Sequence, residues 1–188
     1  NNLANSYKSL NHNDKAEELY ERILKKEPNN IKYLNNFANL KKKLRDFNSA
    51  KKLLLRAIEI ENKNIDILFN LAECYQSLGE IDDAKEYAYK ILNLQPNHTA
   101  TQRFISLIIN HKSDKSHLPK IIEIEKNENF KNYSLNEKTD IYFSLGKAFE
   151  DLKDYEKSFS YLEKANLIKN KETNYNLSAY EKLIISII

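Results

Sequence analysis

Apolar residues in this chain recur at steps of three and four rather than two. The series Leu34, Phe37, Ala38, Lys41 follows that step and lies on one face of an α-helix. Lys41 is the outlier, although its aliphatic stem can cover apolar surface. The pattern predicts a helix over residues 31–44, a short turn, and a second helix over 47–60. Pro28 and Pro96 follow the second helix of a pair, where a residue without an N–H stops it.

Beyond residue 98 the pattern loosens. Thr101 to Asn110 reads as a helix, and Ser113-Asp114-Lys115-Ser116 as a loop. His117 to Lys126 reads as a further helix, broken or delayed by Pro119. Ser134 and Glu137 have the capping-box spacing, so the next helix should begin near Leu135. A last helix is expected from Leu177 to Ile188.

These helices fall into a repeat. Ala16, Ala50 and Ala84 are spaced by 34, as are Ala4, Ala38 and Ala72. Leu3, Phe37 and Leu71 form a column of the same spacing, as do Leu10, Leu44 and Leu78, and Ile23, Ala57 and Ile91. Small residues recur where helices approach closely, and large ones fill the space beside them. The expected units are a truncated repeat over 1–30, repeats over 31–64 and 65–98, a degenerate one over 99–138, a repeat over 139–172 and a terminal helix over 173–188.

The pattern resembles the tetratricopeptide repeat (TPR) family. Residues 65–98 carry its signature best, in Leu68, Leu71-Ala72, Tyr75, Leu78-Gly79, Ala84, Ile91 and Pro96. Another clear unit has Tyr142, Leu145-Gly146, Phe149, Leu152, Tyr155, Leu162 and Ala165, with Ser158 in the small-residue column. The resemblance implies an all-α, right-handed superhelix of antiparallel helix pairs, with the first helix of each unit lining a concave surface.

One polar stripe runs through those first helices. Asn2, Asn36 and Asn70 form a column, and Asn5, Asn39 and Glu73 follow three residues later on the same face. Lys32 and Asp66 precede the column by four, and Lys43 extends the stripe. The resemblance puts this stripe in the groove. An Asn amide both donates and accepts, so a ladder of them suits the backbone of an extended peptide. Some chaperone-binding members instead clamp a terminal carboxylate with Lys and Arg in the third unit. Here Asp66 and Asn70 take those positions, and Asp66 would repel that ligand.

A narrower resemblance covers residues 99–188. Leu145-Gly146-Lys147-Ala148-Phe149-Glu150-Asp151-Leu152-Lys153-Asp154-Tyr155 is similar to the last unit of bacterial TPR–sulfotransferase proteins. Leu135 to Lys138 resembles the acidic entry to that unit, and Ala165-Asn166 replaces its Gly-Asn pair. That likeness implies an accessory, substrate-recruiting region ahead of a catalytic domain that uses the sulfate donor PAPS and is not in this chain.

Composition narrows the chemistry. Two Gly and three Pro among 188 residues exclude collagen-like and turn-rich all-β chains. They also cannot build a glycine-rich phosphate loop. Absence of Met fits an internal piece of a longer protein. The net charge of +3 is spread evenly, which disfavours nucleic acid. Its densest basic patch, Lys41-Lys42-Lys43 with Arg45, Lys51 and Lys52, reads as a solvated helix face. Cys74 reads as a packed thiol. His111 and His117, six apart, fall on different faces of a helix and make poor joint ligands. No apolar run is long enough for a membrane.

The expectation is a non-enzymatic, cytoplasmic scaffold without cofactor or metal that binds a protein or extended peptide. Self-association through the open ends of the array, where the tail Leu183 to Ile188 is apolar, is a further possibility.

Overall fold

The structure, a computed structural model, describes residues 12–173. The expectations that concern Asn2, Asn5, the first helix of the truncated unit and the helix from Leu177 to Ile188 lie outside those residues. Among the described residues the fold is all-α and contains no strand. The α-helices are α1 (Asn13–Lys26), α2 (Ile31–Lys43), α3 (Phe47–Ile60), α4 (Ile65–Ser77), α5 (Ile81–Leu94), α6 (Thr99–Ile108), α7 (Leu118–Lys126), α8 (Leu135–Asp151) and α9 (Tyr155–Thr173). A 3₁₀ turn over Glu128–Asn132 separates α7 from α8.

Helix starts repeat with the sequence. Asn30 and Asn64 cap α2 and α4, each side-chain oxygen accepting the N–H three residues on, from Tyr33 and Ile67 at 3.3 Å. Asp46 does the same for α3 through the Ser49 N–H at 3.1 Å. Ser134 and Glu137 form a reciprocal capping box at the start of α8, with the Ser134 N–H donating to Glu137 at 2.7 Å. α8 starts four residues ahead of Thr139 and so carries an extra turn at its N-terminus.

The turn inside each regular pair needs one residue in the left-handed region. Gly79 takes it with φ +79°, while Arg45 and Lys153 take it at +63° and +61°. Glycine enters this region without a Cβ clash, whereas Arg and Lys are strained there.

The chain forms two compact units that divide between Thr101 and Gln102. In the first, Ala16, Ala38, Ala50, Ala57, Ala72, Ala84 and Ala88 are all fully buried. Their small side chains let helices approach, and Leu34, Leu40, Leu54, Leu68, Leu71 and Ile91 fill the spaces between. Tyr20 stacks on Phe37, ring centroids 5.4 Å apart, which ties α1 to α2. Cys74 is buried as expected, and burial pushes its thiol up to about 11.

In the second unit, Ile121, Ile124, Phe130, Ile141 and Leu145 form the core. Gly146 sits where α8 meets α9. A Cβ there would lie 2.6 Å from Leu162 Cδ2, so the missing side chain is what lets the two helices meet this closely. Ser158, in the small-residue column, donates its hydroxyl to the Gly146 carbonyl at 2.9 Å.

Two expectations need correction. Of the two alternatives for Pro119, the break is not seen: the proline lies in the first turn of α7, where a missing N–H costs nothing, and the helix begins at Leu118, one residue after the expected start. His111 and His117 are not on a common helix. Both lie in the non-helical connection over 109–117, and their rings stack with centroids 5.7 Å apart.

Candidate functional site

The polar stripe of the first unit lies on α2 and α4, the first helices of consecutive pairs. Lys32, Lys43 and Asp66 are exposed, and Asn36, Asn39, Asn70 and Glu73 are half-buried. The residues beside them, Leu34, Phe37, Ala38, Leu68, Leu71 and Ala72, are buried. Each first helix therefore turns an apolar stripe inward and leaves its polar stripe accessible.

The two helices are joined through that stripe. Asn70 Nδ2 donates to Asn35 Oδ1 at 2.9 Å, and Asn70 Oδ1 accepts from Lys42 Nζ at 2.7 Å. Lys42 also pairs with Glu73. The Asn70 amide keeps one N–H and one lone pair beyond these bonds. Asn35 was not singled out in the sequence, and Lys42 was placed in the basic patch rather than in the stripe. Their separation of seven, two helical turns, puts them on one face of α2 and was the available signal.

The basic patch is less solvated than expected. Lys41 pairs with Glu17 of α1 and lies 3.7 Å from Asp46, with its Nζ 5.3 Å from the Phe37 ring centroid. Burial lowers the Lys41 ammonium pKa, but the Glu17 hydrogen bond and charge outweigh it, and the net shift is upward. Lys51 pairs with Glu80 at 2.8 Å and lies 5.0 Å from the Tyr75 ring centroid. Long side chains here cover apolar surface and neutralise carboxylates of the neighbouring helix.

Charge over the described stripe nearly balances, with Lys32, Lys42 and Lys43 against Asp66 and Glu73, and Lys42 already paired with Glu73. An amide-rich strip with one cation in excess has little to attract a polyanion.

The second unit has a recess of about 200 Å³ between α6, α8 and α9. Arg103 lies on its rim, 3.2 Å from Asp140 and with its guanidinium carbon 4.7 Å from the Phe143 ring centroid. Leu107 and Lys147 line the same recess. Nothing in the repeat pattern marks this recess, because residues 99–138 depart from the 34-residue columns.

Among the described residues no group of three His, Cys, Asp or Glu side chains is placed to hold a metal ion. None of the described helices is long and apolar enough to cross a membrane.

Sequence profiles described as tetratricopeptide repeat match residues 1–32, 42–108 and 139–172, together well over half of the chain. No curated protein matches at a significant level. Solved structures do. MamA aligns at 19% identity and TM-score 0.70, over 92% of this chain and 98% of that one. A tetratricopeptide repeat protein from Parabacteroides merdae aligns at 20% identity and TM-score 0.70, over 96% of this chain and 68% of that one. YrrB, described as a TPR protein with an unusual peptide-binding site, aligns at 18% identity and TM-score 0.65, over 89% and 83%. At such identities the likeness is one of fold. Helix pairs at a 34-residue spacing, small residues at their crossings and matches to three repeat profiles make this chain a member of the tetratricopeptide repeat family.

Proposed function

We propose that the chain is a non-catalytic scaffold that binds an extended peptide along the stripe on α2 and α4. TPR folds generally serve protein or peptide interaction, and the solved structure of YrrB is described by a peptide-binding site. The observation that carries the reading is the coupled pair of first helices, in which Asn70 bonds Asn35 and Lys42 while Asn36 and Asn39 remain half-exposed beside it. Asn amides at this density can pair with a peptide backbone in both directions, with little demand on its sequence. The small net charge of the stripe favours peptides of low net charge, and a soluble cytoplasmic setting is consistent with this reading.

A peptide selected from a random display library against the whole chain provides the test. Asn36→Ala combined with Asn70→Ala is expected to weaken that peptide about 10-fold or more, by fluorescence anisotropy, at unchanged helical content. Unchanged affinity sinks the stripe as the site.

The second reading is an accessory region of a PAPS-dependent sulfotransferase. It rests on the stretch Leu145 to Tyr155, which forms the end of α8, a left-handed turn at Lys153 and the start of α9. A phosphosulfate-binding loop encoded within a few tens of codons after Ile188 in the parent gene would decide for it.

A further inference from the structure

The irregular connection between α6 and α7 contains the molecule's least expected buried chemistry. His111 and His117 are 1% and 0% exposed, and their rings stack at 5.7 Å with 28° between planes. His117 Nε2 donates to the Gln102 carbonyl at 3.1 Å. Its Nδ1 and both ring nitrogens of His111 meet no protein partner. Such a pair is tolerated as two neutral rings, since a buried cation without a counter-charge is far costlier than a buried neutral ring.

Asp151 and Asp114 near the pair favour the charged rings, but burial outweighs them. His111 faces Asp151 and Lys147 from α8 and Asp114 from its own connection. His117 faces His111, Asp114, and Lys120 from α7. Asp151 is already paired with Lys147 and accepts the His111 backbone N–H at 3.0 Å. Asp114 accepts the Ser116 N–H at 3.1 Å and its hydroxyl at 2.7 Å. Two stacked imidazolium rings would also repel each other.

We propose that His111 and His117 form an acid-operated latch. The stacked pair holds the 109–117 connection against α8 while both rings are neutral, and lets it open when they take up protons. Burial lowers both ring pKa values, that of His117 to about 4. The open connection, with rings in water, titrates near the ordinary value of 6.5. Between those values the open form binds more protons, so the closed form is fully favoured above pH 6.5 and loses ground as pH falls toward 4. The latch is independent of the peptide stripe, which lies in the first unit.

Hydrogen exchange on the whole chain, corrected for the intrinsic pH dependence of amide exchange, tests it alongside ring-proton NMR titration. Protection over residues 109–118 is expected to fall on the order of 100-fold between pH 7 and pH 4 from His117 alone, while α8 and α9 keep theirs. Replacing both rings, His111→Phe with His117→Phe, keeps a stacked pair and should abolish that dependence. The idea is overturned if protection of 109–118 is flat with pH or if the Phe pair retains the native dependence. Loss of protection in α8 and α9 in step with the connection overturns it as well, since that is general acid unfolding. Should the double variant fail to fold, the titration of the native chain decides alone: both rings titrating at 6.5 with no change in protection rejects the latch.

Discussion

Arg45, Gly79 and Lys153 occupy equivalent turns with φ between +61° and +79°, yet only one of them is glycine. A Cβ in this region costs roughly 1 kcal/mol. Arg45→Gly and Lys153→Gly should therefore each stabilise the chain by about 0.5–1 kcal/mol, read as a rise in the urea midpoint at unchanged slope. Gly79 was legible in the sequence as part of the Leu78-Gly79 pair of the repeat's signature. The left-handed turns at Arg45 and Lys153 were not, because nothing in those side chains announces a positive φ. The same limit applies to His111 and His117. Sequence spacing placed them on different faces of a helix, but the chain leaves the helix after Ile108 and brings the rings into contact.

Helix starts were legible where a cap accompanied them. The Ser134–Glu137 box places α8 at Leu135 in both readings, because its donors and acceptors are local in sequence. Contacts between helices were harder to see. Lys42 links α2 to Asn70 and Glu73 of α4, and which lysine of the Lys41-Lys42-Lys43 run points there depends on how the two helices are set against each other. The Glu73 side chain is 38% exposed, so solvent screens the pair. A double-mutant cycle of Lys42→Ala and Glu73→Ala should give a coupling of about 0.5–1 kcal/mol, smaller at high salt. A coupling of zero would mean that the Lys42–Glu73 pair adds nothing and that the bonds of Asn70 to Asn35 and Lys42 join these helices through the stripe.

In a repeat array each helix buries its faces mainly against its neighbours in sequence, so lesions act locally. Gly146 offers a probe. With Leu162 carbons 2.6 and 2.8 Å from a would-be Cβ, Gly146→Ala must displace the Leu162 side chain. The expected loss is about 1–3 kcal/mol, with lowered hydrogen-exchange protection confined to α8 and α9 and unchanged protection in α2 to α4. Protection lost throughout the chain would contradict nearest-neighbour packing.

Periodicity alone determined that the chain is helical, that its helices pair at intervals of 34 and that alanines mark their crossings. These properties are repeated and local, so each regular unit restates them. Tertiary structure decided the rest: that Asn70 spends half its hydrogen-bonding capacity on Asn35 and Lys42, that the basic patch is drawn into ion pairs, and that two histidines meet in a buried stack. Each of these depends on where two helices, or a helix and an irregular connection, come to rest against each other. That placement is the sum of many weak packing contacts between residues distant in sequence, and no spacing rule along the chain encodes it.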